Sequence, residues 1–194
     1  PAPSSAPVGR AAADIAGIDP AGDAVALRVV GAAHGTVIAF LSSTCLTCAG
    51  FWEELRDPRK VYRPEGSRLV VVAKGPDEES QRAIAELAPP GVTTVLSSEA
   101  WLDYDVPGSP YVVYVDGPAG VVAGEGTGGS WAQVGRLLAQ ATGDVTFAAG
   151  PAAGRRRKAR GDAEREQDID GALLAAGVLP DDERLYRSLD EEVG

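Results

Sequence analysis

The sequence predicts an α/β fold: a central mixed β-sheet flanked by helices, extended by an N-terminal β-hairpin and followed by a mostly irregular C-terminal tail. Three observations predict it. Thr36-Val37-Ile38-Ala39-Phe40-Leu41 and Leu69-Val70-Val71-Val72-Ala73 are unbroken apolar runs rich in β-branched residues, as expected of strands covered on both faces. Each run is followed by turn or N-cap residues and then by a stretch of helical character. A third run, Tyr111-Val112-Val113-Tyr114-Val115, ends in Asp116-Gly117-Pro118-Ala119-Gly120 and returns through Val121-Val122-Ala123, which is a hairpin.

The elements follow in order. Between Ile15 and Val30 two short apolar segments flank Asp19-Pro20-Ala21-Gly22-Asp23, a turn cluster that suggests the first hairpin. The strand at 36–41 stops at the capping residues Ser42-Ser43-Thr44, and a helix from Cys45 to Arg56 ends before Pro58. After the strand at 69–73, Gly75-Pro76-Asp77 leads into a helix through about Leu87, closed by Pro89-Pro90-Gly91. Val92 to Leu96 reads as a short strand and Glu99 to Tyr104 as one or two helical turns. Beyond Gly124 to Gly129, Ser130 caps a helix whose Trp131, Val134, Leu137, Leu138 and Ala141 share one face. That helix closes the folded domain, residues 10–143.

The 194 residues carry a net charge of −10, with 44% hydrophobic and 24% charged residues, a globular balance that excludes a wholly disordered chain. No apolar stretch approaches the roughly 20 residues of a membrane span. The acidity argues against nucleic-acid binding, which needs basic surface. Residues 1–9 read as a flexible linker: the first seven hold three prolines and no apolar side chain large enough to pack. The expectation drawn from it is a tether left after removal of a signal sequence or membrane anchor, placing the domain outside the cytoplasm at a bacterial cell surface. Residues 144–194 read as a charged tail. It holds five basic residues between Arg155 and Arg160, read as a solvated linker, and then three basic against eleven acidic residues. A short docking helix is expected near 168–177.

Cys45 and Cys48 are the only cysteines and His34 the only histidine, so a zinc site lacks ligands and no metal is expected. Two thiols three positions apart at a helix start suit redox chemistry. The first lies where free backbone N–H groups and the helix dipole favour a thiolate, and the second can attack a mixed disulfide formed by the first. Cys45 is therefore the candidate nucleophile and Cys48 the resolving thiol, in the motif Cys45-Leu46-Thr47-Cys48.

Thr36 to Trp52, TVIAFLSSTCLTCAGFW, resembles the active-site strand and helix of thioredoxin-like proteins, and Val106-Pro107-Gly108-Ser109-Pro110 resembles the segment that carries that family's cis-proline. The spacing and the preceding hairpin are more similar to the TlpA-like and MauD-like branch. The resemblance covers about Arg10 to Gly143. It implies a thioredoxin-like fold, a cis Pro110 shielding the reactive sulfur, and Ser109 offering backbone hydrogen bonds to a substrate strand. Thr44, beside Cys45, joins Ser109 and Pro110 as an expected substrate contact. Trp101, with Tyr104, reads equally as the wall of a groove beside Pro110 and as a core contact. The implied function is thiol:disulfide exchange with protein substrates, with no cofactor beyond the Cys45–Cys48 disulfide. A membrane or soluble redox partner would reset the pair, and the protein is expected to be a monomer. Two alternatives stand beside it. One is an extracytoplasmic maturation factor of MauD type; the other is a thiol peroxidase, whose threonine position is taken here by Ser42.

Departures from the family are informative. The buried aspartate expected six residues before the first cysteine is replaced by Ala39, which either leaves the resolving step to water or another carboxylate or makes turnover slower. Leu46-Thr47 matches neither strong reductants nor strong oxidases. Glu53 and Glu54 read as solvent-facing charges, Lys74 as a surface lysine at a strand end, His34 as a loop residue and Trp52 as core. Gly124 to Gly129 lacks the Lys-Ser/Thr of a phosphate loop.

Overall fold

The computed structural model describes residues 9–143. The linker expected at 1–9, apart from Gly9, and the tail at 144–194 with its docking helix lie outside the described residues. Alternation decides the layers. In β3 (Thr36–Phe40) every residue is buried, because Val37 and Ala39 point into one apolar layer and Ile38 and Phe40 into the other. That is why the strand reads as a continuous apolar run rather than an alternating one. β3 runs parallel to β4 (Arg68–Ala73), which runs parallel to β5 (Thr93–Leu96). On its other side β3 pairs antiparallel with β6 (Tyr111–Asp116), and β6 with β7 (Val121–Gly126). The hairpin of β1 (Ile15–Ile18) and β2 (Ala24–Leu27) adds to the β5 edge, giving the order β2-β1-β5-β4-β3-β6-β7.

One layer holds α1 (Leu46–Glu54), α2 (Gln81–Leu87) and α4 (Trp131–Thr142). Phe51, Trp52 and Leu55 at the end of α1 meet Ile84 of α2 and Trp131, Val134 and Leu138 of α4 over β3 and β4. Each large side chain so buried contributes about 1.5–3 kcal/mol, which anchors α1 along its length. The other layer holds α3 (Ser98–Asp103), with Trp101 and Tyr104 packed on Phe40. The Tyr104 hydroxyl donates to the Ala13 carbonyl at 2.6 Å and accepts from the Ala13 N–H at 3.3 Å, tying the N-terminal segment to α3. Burial pushes this phenol up to about 12.

Two expectations change. The glycine-rich stretch after Ala123 is strand as far as Gly126, and its glycines serve close packing. A Cβ on Gly124 would stand 2.5 Å from that of Ala141 in α4, and one on Gly126 would stand 3.0 Å from Leu137 Cδ1. Ser130 occupies the N-cap of α4 but its side chain makes no capping bond. The Trp131 N–H instead donates to Glu54 Oε2 at 2.7 Å. Glu54 is therefore more than a solvent-facing charge: it caps one helix from the end of another. Glu53 remains on the surface, paired with Arg56.

Candidate active site

The site forms where β3 ends. Leu41 still donates to the Val72 carbonyl at 3.1 Å, and the chain then turns through Ser42-Ser43-Thr44 into α1. Three contacts fix this turn. Trp52 Nε1 donates to the Ser42 carbonyl at 3.1 Å, folding the last turns of α1 back over the loop. The Thr44 N–H donates to Ser42 Oγ at 3.2 Å. The Ser43 N–H and hydroxyl both donate to Glu79 Oε2, at 3.3 and 2.5 Å.

The helix cap is Cys45 itself, not the serines or threonine before it. Its φ of −83° and ψ of 119° are the extended geometry of an N-cap, and its sulfur accepts the Cys48 N–H at 3.3 Å. A sulfur thus takes the place usually held by a Ser or Asp oxygen at a helix start. The Cys45 thiol also lies 3.4 Å from the Ser109 carbonyl oxygen, close enough to donate to it. The Ser109–Pro110 bond is cis. Pro110 is buried at the start of β6, and its carbonyl accepts from Thr127 Oγ1 at 2.6 Å. Cys45, Cys48, Ser109 and Pro110 therefore come together, with Thr44 exposed in the adjoining loop.

Both cysteines are present as thiols, Cys45 half-buried and Cys48 fully buried. Their acidities are driven apart. Burial on its own would raise Cys45, but it is outweighed by hydrogen bonds to its sulfur from the Cys48 thiol and N–H, the Ser109 side chain and the Thr47 N–H. The Cys45 pKa falls below the ordinary thiol value. For Cys48 burial dominates. With the bond it donates to Cys45 and the nearby Cys45 charge, it is pushed up to about 11. At neutral pH the exposed sulfur is the more readily ionised of the two, and only the thiolate is nucleophilic.

Trp101 lies in the layer opposite Cys48, only 7% exposed against Phe40, with Lys74 Nζ 5.6 Å from its ring centre. Lys74 also pairs with Glu78 at 2.6 Å. The exposed apolar side chains near the motif are of a different kind: Leu46, between the two cysteines, is 93% exposed. Among the described residues no three His, Cys, Asp or Glu side chains group as metal ligands.

Sequence reasoning missed Glu79. It is the one buried charged side chain among the described residues, and it holds the loop that leads into Cys45. Asp77-Glu78-Glu79-Ser80 reads as an ordinary acidic turn before a helix capped by Ser80. Nothing local separates Glu78, which faces out to Lys74, from Glu79, which faces in. The only sequence signal for it is Ala39, which leaves the acid position beside the cysteines unfilled and calls for a carboxylate from elsewhere.

No protein-family model and no curated protein matches this chain. Several solved structures do. A thiol:disulfide interchange protein of the thioredoxin family from Chlorobium tepidum aligns with a TM-score of 0.53 at 16% identity, covering 71% of this chain and 99% of that one. The thioredoxin domain of a thiol-disulfide oxidoreductase from Bacteroides vulgatus aligns at 0.50 and 22% identity, covering 69% and 99%. A thiol:disulfide interchange protein from a Bacteroides species aligns at 0.50 and 20% identity, covering 77% and 95%. At such identities the likeness speaks for the fold, which is thioredoxin-like.

Proposed function

We propose that this protein is a thiol:disulfide oxidoreductase that exchanges disulfides with other proteins, Cys45 making first contact and Cys48 resolving. One observation carries the reading: the half-exposed Cys45 sulfur caps its helix beside the cis Ser109–Pro110 bond, while Cys48 is buried behind it. In the reducing direction the Cys45 thiolate attacks one sulfur of a substrate disulfide. That bond breaks, a mixed disulfide forms, and the substrate's other sulfur leaves as a thiolate that takes up a proton. Cys48, once deprotonated, attacks Cys45 Sγ. The Cys45–Cys48 disulfide forms and the substrate departs as a dithiol. Oxidation of a substrate runs through the same bonds in reverse, and an external thiol or disulfide protein resets the pair.

The exposed Leu46 adds an apolar contact beside the reacting sulfur, which suits a polypeptide partner better than a small hydrophilic thiol. The test is a Cys48→Ser variant. It should accumulate mixed disulfides on Cys45 that dissolve on reduction, and Cys45→Ser should abolish them. If Cys48→Ser traps no partner and Cys45 alkylates with the pKa of a free cysteine, about 8.5, the reading fails.

A further inference from the structure

The loop that carries Ser109 and Pro110 leaves the end of α3 and enters β6, and the way its two ends are held decides where Ser109 stands relative to Cys45. Its entry is a helix C-cap of the Schellman type. The Val106 N–H donates to the Trp101 carbonyl and the Asp105 N–H to the Leu102 carbonyl, each at 3.0 Å, with Asp105 in the left-handed region at φ 44°. Glycine is the usual residue at that place, because a side chain strains it. The Asp103 carbonyl, at the last residue of α3, finds no donor four residues on, where Pro107 lacks an N–H. The exit of the loop is held from β7. Thr127, just past that strand, bonds the Pro110 carbonyl. Burial, then the Glu125 charge and the bond that Glu125 accepts from the Tyr111 hydroxyl, push the Tyr111 phenol up.

Arg10 meets both ends. Its Nη2 donates to Glu125 Oε2 at 2.7 Å, and its Nη1 donates to the Asp103 carbonyl at 3.4 Å and lies 3.5 Å from Asp105 Oδ2. The side chains of Arg10 and Glu125 are 32% and 38% exposed, against 80% for Asp105, so the Glu125 pair is the stronger contact and the Asp105 pair the weaker. A planar fork of donors serves acceptors on α3 and β7 together, which the point charge of a lysine matches less well. An aspartate in the left-handed position also offers Arg10 a carboxylate that glycine would not. The backbone seats Arg10 for this role: the Val122 N–H donates to its carbonyl at 2.8 Å, and the Ala12 N–H donates to the Gly120 carbonyl at 3.0 Å. Between the two ends Pro107 and Gly108 are exposed, so the loop takes its position from where it is tied.

We propose that Arg10 is a positioning residue for disulfide exchange: by tying the end of α3 to β7 it holds Ser109 against Cys45, so that a substrate strand finds both in place. The consequence for exchange rests on the oxidoreductase reading; the clamp itself does not.

The experiment compares the full chain with Arg10→Gln, Arg10→Lys, Glu125→Gln and the double variant Arg10→Gln/Glu125→Gln, each below its unfolding temperature. The substrates are insulin, a protein disulfide, and dithiobisnitrobenzoate, a small one that lays no strand beside Ser109. Arg10→Gln should raise KM for insulin roughly threefold or more, the scale of a part-buried ion pair, while kcat and the rate toward the small disulfide change far less. Arg10→Lys should recover part of the loss. Glu125→Gln should reproduce it, and the double variant should lose no more than either single one. Amide hydrogen exchange at Asp105 and Val106 should speed up in Arg10→Gln. The inference is overturned by an unchanged KM, by a fall in kcat and in the small-disulfide rate as large as the KM effect, or by losses that add in the double variant. If the unaltered protein exchanges with neither substrate, the oxidoreductase reading fails. Hydrogen exchange then decides the clamp by itself, and no acceleration at Asp105 and Val106 overturns it.

Discussion

Replacing Glu79 by alanine tests the claim that a buried carboxylate holds the loop entering the candidate active site. The substitution strips Ser43 of the acceptor for both its N–H and its hydroxyl. Hydrogen bonds to charged groups are worth about 1.5–3 kcal/mol each. Here both end on one oxygen, and the 3.3 Å bond is long where the 2.5 Å bond is short, so they count for less than two. The part-buried Ser43 donors can recover some of the loss by reaching water. A loss of about 2–3 kcal/mol follows, or roughly 5–10 °C in Tm for a chain of this size. Glu79→Gln keeps an acceptor oxygen for Ser43 and should lose about 1 kcal/mol or less. Neither variant should move the pKa of Cys45 much, because the bonds that favour its thiolate come largely from α1 and Ser109 rather than from the loop. Denaturant unfolding of the reduced protein, paired with a pH series of Cys45 alkylation, reads both quantities. If alanine costs no more than about 0.5 kcal/mol, the loop does not depend on Glu79. If glutamine is as damaging as alanine, the charge matters and the hydrogen-bond argument is wrong.

The lowered pKa of Cys45 and the raised pKa of Cys48 give a two-step pH dependence. Alkylation of Cys45 should rise with pH through a midpoint below the roughly 8.5 of free cysteine, whereas Cys48 stays protonated until pH approaches about 11. Resolution of a preformed mixed disulfide, followed by release of the thiol partner, should keep accelerating with pH after alkylation has levelled off; a resolution rate flat across that range contradicts the assignment. Gly124→Val should destabilise by about 1–3 kcal/mol through overpacking against Ala141, measured by thermal unfolding. Glu54→Ala should cost about 0.5–2 kcal/mol as the loss of a helix cap. Ser130→Ala, which removes no capping bond, should cost less, and the reverse order would refute the assignment of Glu54.

The fold was legible because its signals are local. A strand buried on both faces must be apolar there, and β3 is so after Thr36 and β4 after Arg68. The turn residues at Asp19 to Asp23 and Asp116 to Gly120 fall where the hairpins turn. The cysteine pair was legible for a related reason: Cys45 and Cys48 are separated by one helical turn, so sequence spacing fixes their geometry. Ser109-Pro110 stands 64 residues from Cys45 and carries no signal of its own, so only resemblance to other proteins singled it out. Glu54 and Glu79 were not legible. Each takes its partner across the fold, Trp131 lying 77 residues from Glu54 and Ser43 lying 36 from Glu79. A surface glutamate and a bonded one look alike in sequence. Trp101 stayed open between groove wall and core contact because position along the chain does not say which layer an aromatic residue enters; the structure packs it in the layer opposite Cys48.

The divergence of the two thiols has two geometric origins, the burial of Cys48 and the place of Cys45 at the helix cap. Because Cys45 caps the helix, its sulfur receives donors, including the Cys48 thiol, and that one bond favours the Cys45 thiolate while it disfavours the Cys48 thiolate. The coupling is one-directional only while Cys45 carries charge. Once Cys45 enters a mixed disulfide, its negative charge and its claim on the Cys48 proton weaken together, and two of the three influences holding Cys48 up are removed. Burial, the largest, remains. The position that could have held an acid beside it is the apolar Ala39, and Glu79 is already bonded to Ser43. The barrier to the second step therefore lies in deprotonating a buried thiol without a dedicated carboxylate, so the resolving step, rather than the first attack, should carry the stronger dependence on pH.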